Sequence, residues 1–316
     1  MKIDTALIYL FIIVLCFISC DKSVDTSAEF RERYVLTSII DCNKDNQYAF
    51  VTRTYDNSVT GLDPETESVF IHGADVKLWY DYQVFKLKDT ILTDNDLKEK
   101  KRYTVSGLNL DGDKFIEIEA LLPNNLLLSS ITKIPPISEI KIEETNADNI
   151  SNASSEILNI RWNNIGNYIY EPKLVINYYS HSDSNSNIQE RIIPLDVIVE
   201  QLETILVFPQ PSNNSNINFE KRAVDYIMRD LSKNDPVKSN FVIIGLELQL
   251  RVYDENLTAY YSSTNQFLDQ FSISLDSKLY SNIDGGLGIF GSFITKNLSI
   301  ELDEKYITLF GYSDAK

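Results

Sequence analysis

The sequence predicts a mainly β protein: an N-terminal immunoglobulin-like or transthyretin-like β-sandwich, then a second β-rich (α+β) domain with one to three short helices. Short runs that alternate apolar and polar residues recur along the chain, the period of half-buried strands. Tyr (18) and Phe (15) are abundant, and the hydrophobic fraction of 43% is enough for a core that such residues would build as sheet. Turn residues punctuate the runs at short intervals, the spacing of a sandwich.

Before the first strand comes Ala6–Cys20, ALIYLFIIVLCFISC. Its apolar run of about 14 residues is too short for a hydrocarbon core that takes about 20 helical residues. Lys2 precedes it, small Ser19 ends it, and polar Asp21, Lys22 and Ser23 follow. That is the layout of a secretory signal. Phe17, Ile18 and Ser19 ahead of Cys20 resemble a bacterial lipobox, with Phe where Leu is usual. Residues 1–19 are therefore expected to be cleaved as a lipoprotein signal peptide. Cys20 would become the lipid attachment point, and residues 20–29 a polar tether.

The first domain is expected over residues 30–136. Tyr34–Asp41 and Gln47–Tyr55 flank the turn CNKDN and predict a hairpin. Ala74–Tyr80 and Gln83–Lys88 alternate as strands. Tyr103–Leu108 and Lys114–Leu122 flank Asp111-Gly112, a hairpin dipeptide. Leu126–Ile134 is the last strand, and Pro135-Pro136, without ladder donors, marks the boundary.

Residues 137–316 form the expected second domain. Ile157–Trp162, Lys173–Tyr179 and Phe241–Tyr253 read as strands. The spacing of Leu195, Ile198, Leu202 and Ile205 after Pro194 predicts a helix over 194–206. Phe219, Ala223, Ile227 and Leu231 predict a second over 219–231, ended by Asp235-Pro236. Leu257–Phe271 is ambiguous and compatible with a helix. Gly285–Gly291 reads as a tight glycine-rich turn, and Ser292–Leu302 and Tyr306–Phe310 as terminal strands.

Charge and cysteine usage narrow the function classes. A net charge of −17 opposes binding to nucleic acid and lying flat on an anionic membrane. With Cys16 lost in the signal and Cys20 acylated, Cys42 stands alone, so no intramolecular disulfide is expected. It has no CxxC neighbour, and a buried core thiol is its expected role.

Candidate catalytic groups are sparse. His72 and His181 are the two histidines, and no HExxH or GxSxG pattern accompanies them. Ser130–Lys133 and Ser138–Lys141 match S-x-x-K without companion motifs. Glu117 and Glu119 alternate with Ile116 and Ile118, the solvated face of a strand. Asn109, Asp111 and Asp113 read as a turn rather than a calcium loop. Gly286, Gly288 and Gly291 match GxGxxG, but the segment after them alternates like a strand. A dinucleotide site is rejected in favour of glycines that permit positive φ, with Ile289 and Phe290 in the core. No cofactor, metal or catalytic residue is expected.

Two stretches carry a family resemblance. Tyr280–Gly291, YSNIDGGLGIFG, with Gly285, Gly286, Gly288 and Gly291 as a structural motif, resembles the C-terminal hallmark of the DUF4249 family of Bacteroidota lipoproteins. Glu117–Pro136, EIEALLPNNLLLSSITKIPP, is similar to that family's strand, turn and strand ending in a proline pair. The resemblance implies an outer-membrane lipoprotein, often encoded beside a TonB-dependent receptor, with no established catalytic residues. It also implies that Asp21 and Asp25 favour export to the cell surface, and that Asp89-Thr90-Ile91 matches an O-glycosylation pattern at Thr90.

The expectation is a non-enzymatic, surface-exposed accessory or ligand-capture protein beside a TonB-dependent receptor, held to the outer membrane by its N-terminal lipid. A structural or adhesive surface module is the alternative, and a hydrolase the third. The expected binding loops are 181–188, with His181 and Asp183, and 212–217, with Asn213 and Asn214.

Overall fold

A computed structural model describes residues 32–54, 69–93, 99–144, 157–180, 187–200, 203–233, 237–264 and 280–315. Cys20, His181 and Asp183 lie outside the described residues. The fold is mostly β, with three short α-helices among the described residues. None of these helices is long and apolar enough to cross a membrane.

β1 (Tyr34–Asp41) and β2 (Gln47–Arg53) form the expected antiparallel hairpin. The Gln47 side chain braces its turn by donating to the carbonyls of Asp41 and Lys44 and accepting from the Asp41 N–H. β3 (Asp75–Tyr80), β4 (Gln83–Lys86), β7 (Phe115–Leu121) and β8 (Leu127–Lys133) make a four-stranded sheet in the order β4-β3-β7-β8. β5 (Lys88–Thr93) and β6 (Glu99–Val105) join β2 in the other layer. Alternation decides which face turns inward. Val76, Leu78, Ile116, Ile118, Ala120 and Leu128 meet Leu36, Ile40, Ala49 and Val51 in one apolar cluster, a β-sandwich-like core. Each such buried Leu or Ile contributes about 1.5–3 kcal/mol relative to exposure. The Tyr103 hydroxyl, buried between the layers, accepts from Ala74 N–H and donates to the Ile71 carbonyl.

The second half adds β9 (Ile142–Glu144), β10 (Ile157–Trp162), β11 (Ile169–Ser180), β12 (Gln189–Ile193), β13 (Asp196–Glu200), β14 (Glu203–Val207) and β15 (Asn216–Glu220). Helix α1 (Lys221–Asp230), β16 (Phe241–Tyr253), α2 (Glu255–Thr264), β17 (Leu287–Ile300), α3 (Glu304–Leu309) and β18 (Ser313–Asp314) follow. The main sheet runs β12-β11-β16-β17-β1-β2-β6-β5, with β18 beside β16. It is continuous across Pro135-Pro136, because β17 lies parallel to β1 from Val35↔Leu287 to Asp41↔Phe293.

Four local expectations are corrected. The expected helix over 194–206 is not found: Asp196–Glu200 and Glu203–Val207 pair as the β13–β14 hairpin, because Val197, Ile198, Val199, Thr204 and Ile205 are β-branched, and that density outweighs the helical spacing. The 219–231 helix begins at Lys221, because Phe219 and Glu220 complete β15 against β10. Its buried face is Ala223, Val224, Ile227 and Met228. Tyr306–Phe310 falls on α3, whose N-cap Asp303 accepts from the Lys305 N–H. Asp111-Gly112 does not close a hairpin: β6 pairs with β2 and β5, while β7 pairs with β3 and β8, so this connection crosses between layers.

The glycine stretch is likewise more than a turn. The chain turns at Gly285–Gly286, and Leu287 already belongs to β17. Gly288, at φ 122°, lies so close to β1 that a Cβ would stand 2.0 Å from the Leu36 carbonyl oxygen. A Cβ on Gly291 would stand 2.5 Å from Cγ of Leu257, so its bareness lets α2 sit on the sheet. A Cβ on Gly285 would stand 2.3 Å from the Leu127 carbonyl oxygen, and one on Gly286 2.7 Å from that of Tyr34. Phe290 and Ile289 are buried.

Asp254 ties these pieces together. Wholly buried, it caps α2 by accepting from the Leu257 N–H, and it accepts from the Thr132 hydroxyl of β8 and from both N–H and hydroxyl of Ser292 in β17. Burial pushes its carboxyl above the usual range, opposed by those four donors.

Gly288→Ala is expected to cost at least about 3 kcal/mol, through positive φ plus the clash with Leu36. Gly107→Ala, at φ 83° in open space, should cost about 1 kcal/mol, through φ alone. Urea denaturation measures both. Asp254→Ala, which orphans buried N–H groups, should cost roughly 2–4 kcal/mol. The raised native value means that the proton-linked part of Asp254's contribution is complete below the unfolded carboxyl's range, about pH 3.9. It is lost as pH rises through the native value. A pH series of denaturation midpoints on wild type and Asp254→Asn should show that downward slope weakened in the variant.

Candidate ligand-binding groove

The outward face of the β5–β6–β2 layer is built by register. Lys88, Thr104 and Tyr48 stand in one cross-strand row, and Thr90 and Arg102 in the next. The opposite faces of these strands hold Ala49 and Tyr103 in the core. Sandwich packing therefore fixes which way the polar set points.

That face bears a concavity of about 490 Å³ lined by Asn46, Gln47, Tyr48, Lys86, Lys88, Thr90, Arg102, Thr104, Val105 and Ser106. The Arg102 guanidinium lies over the Tyr48 ring, 4.9 Å from its centroid. Tyr48 in turn meets Phe50 edge-on at 5.7 Å. Arg102 Nε is buried and makes no hydrogen bond among the described residues. Lys86 is paired with Asp75 at 2.7 Å. No lining residue is acidic, although the chain carries 46 Asp and Glu against 29 Lys and Arg.

Thr90 sits in this groove, half-buried in β5. Its hydroxyl donates to the Lys88 carbonyl or shares a hydrogen with Thr104 Oγ1 at 2.9 Å. Asn213 and Asn214 lie between β14 and β15. Ser215 and Asn216 beside them, with Glu143, Arg161, Trp162 and Asn163, line a second concavity of about 390 Å³. Asn213 and Asn214 do not line it. Gly285 is exposed at the turn, Gly286 and Gly288 are half-buried and Gly291 is buried, and all four serve close approach of neighbouring chain segments. Glu119 accepts from the indole N–H of Trp79 at 2.8 Å on the outward face of β3 and β7. Ser130 donates to the Asn282 carbonyl. His72 pairs with Asp89 at 3.0 Å near the surface. Cys42 is a free, buried thiol whose ionisation burial and the neighbouring Asp254 and Asp41 carboxylates push well up. Among the described residues no cluster of three or more His, Cys, Asp or Glu is placed to hold a metal ion.

The family described as a domain of unknown function, DUF4249, matches residues 21–298. The chain belongs to the DUF4249 family. Both the groove and the glycine-bearing start of β17 fall within the DUF4249 span, whereas α3 and β18 lie beyond it. No curated protein matches the chain.

The sequence reading missed the groove. Its signal was present as Lys86 and Lys88 two apart, and Arg102 and Thr104 two apart. Such alternation is also what an ordinary solvated strand face shows. Only the register of β5, β6 and β2 brings the cations onto one surface with Tyr48.

Proposed function

We propose that this DUF4249 chain is a non-catalytic lipoprotein, anchored through Cys20 to the outer membrane, that captures a ligand for a TonB-dependent receptor. The observation that carries the capture reading is the groove. It is a concavity of small-molecule size set on rigid strands and lined by side-chain donors and one aromatic ring. The anchoring half is supported by the signal-like layout of residues 1–19 and by a family match that starts at residue 21, directly after Cys20. Anchoring holds a modest binding surface at high effective concentration near its receptor. Cell-surface exposure belongs to the same reading. Thr90 supports it more as a lining residue than as a glycan acceptor, because its hydroxyl is already engaged within the sheet face.

A second reading, an adhesive or structural module, draws on the other layer. The outward face of the four-stranded sheet exposes Trp79, Phe115 and Ile131, with Tyr82 fully exposed at the β3–β4 turn. Exposed apolar surface of this kind is what a contact face presents.

Cys20→Ala should move the protein from the outer-membrane fraction to the soluble fraction; retention in the membrane would contradict the anchor. Purified from membranes in mild detergent, the wild-type chain should bring down a stoichiometric β-barrel receptor. Recovery of envelope or host-surface ligands without a barrel would favour the adhesive reading.

A further inference from the structure

The groove's chemistry specifies its ligand more closely. Arg102 and Lys88 stand on neighbouring strands with their rows adjacent. Among the described residues neither has a carboxylate partner, in a protein where Lys77, Lys86, Lys114, Lys133, Arg191 and Arg251 all do. Arg102 is not a solvated side chain that happens to be basic. It is half-buried and laid over Tyr48, and its Nε donor is desolvated without an acceptor. A buried donor left unmade costs about 1–3 kcal/mol, and more when charged. A bound oxyanion meets the outer N–H groups of this planar guanidinium, otherwise unpaired among the described residues, with a charge-assisted bond. The hydroxyls of Thr90, Thr104 and Ser106 and the Asn46 amide add neutral polar groups around the cations, and the Tyr48 ring adds an apolar wall.

The chain's net charge of −17 does not forbid this. At physiological ionic strength the Debye length is about 8 Å, so an anion inside the groove feels its lining cations far more than distant carboxylates.

We infer that the groove binds a small ligand bearing a carboxylate or phosphate group, with the oxyanion held between Arg102 and Lys88 and the neutral part of the ligand against Tyr48, Thr90 and Thr104. This rests on the capture reading and names the chemistry of what is captured.

The test is calorimetric titration of the full-length lipidated protein in detergent. The probes are trigalacturonic acid for the carboxylate source, glucose 6-phosphate for the phosphate source, and their uncharged counterparts, galactose trimer and glucose. At least one acidic probe should bind, and its neutral counterpart should bind at least about tenfold more weakly, the least that one charge-assisted bond supplies. Which acidic probe binds distinguishes the two sources. Arg102→Gln and Lys88→Gln should each weaken that binding by about tenfold or more. Lys233→Gln, an equal charge change at an exposed lysine outside the groove, should leave it unchanged. Circular dichroism and the urea midpoint establish that each variant is folded. The inference is overturned if no acidic probe binds up to about 10 mM, if neutral counterparts bind equally, or if the folded Arg102 and Lys88 variants bind like wild type. Anchoring and receptor co-purification are read separately: if they hold while anion binding fails, only the ligand assignment falls. If anion binding holds while they fail, it is the lipoprotein reading that falls.

Discussion

The parallel pairing of β1 with β17 is the constraint on which the rest of the fold depends. Parallel neighbours cannot be joined by a tight turn, and here nearly the whole chain forms the connection. The pairing places the β1–β2 hairpin, and through it β6 and β5, on one side of β17, with β16, β11 and β12 on the other. Gly288 makes the approach sterically possible, since any side chain there would enter the Leu36 carbonyl. Asp254 then fixes the level at which β17 runs, because its carboxylate is satisfied only when Ser292, Thr132 and the first turn of α2 all converge on it. A buried anion with four donors gains specificity from having so few acceptable arrangements.

From that framework the two outward faces of the sandwich acquire different characters. One layer turns Lys88, Arg102, Tyr48 and two threonines outward; the other turns out Trp79, Phe115 and Ile131 beside Glu117 and Glu119. Both are chiefly consequences of strand alternation about a shared core, with Asn46 and Ser106 at strand ends completing the first. A binding surface on strands is held more rigidly than one on loops, which lowers the ordering cost of ligand capture. In the sequence, by contrast, the polar loops 181–188 and 212–217 are the most conspicuous candidates by composition.

What was legible in the chain was whatever depends on local pattern. Strands β1 to β4, β7 and β8 and the β1–β2 hairpin follow from alternation and turn residues, whereas β5 (Lys88–Thr93) was not expected and β6 runs over Glu99–Val105 instead of Tyr103–Leu108. The β13–β14 hairpin was misread because Leu195, Ile198, Leu202 and Ile205 fit a helical face, while the β-branched residues between them fit a strand better. Tyr306–Phe310 was expected as a strand, but Asp303 caps a helix there, and the strand reading took no account of that cap. The role of Gly288 and Gly291 was only half legible: glycine announces a special backbone, but not that Leu36 and Leu257 are what it must admit. Asp254 gave no signal at all, since its four donors come from β8, α2 and β17. The groove was invisible for the same reason, as Tyr48, Lys88, Thr90, Arg102 and Thr104 come from three strands in a register that no single segment encodes.

The central claim is that β1 and β17 bind the two halves of the sequence into one cooperative unit, and the chain's two tryptophans report on it directly. Trp79 lies in β3, in the first half, and Trp162 lies in β10, in the second. Equilibrium urea unfolding of Trp79→Phe and Trp162→Phe, each followed by the remaining indole's fluorescence and by circular dichroism, compares the halves, with coincident probes the sign of a single transition. The account predicts that within each variant the fluorescence and circular dichroism transitions coincide, whichever half holds the indole. A half that unfolds separately, with its own midpoint, would contradict it.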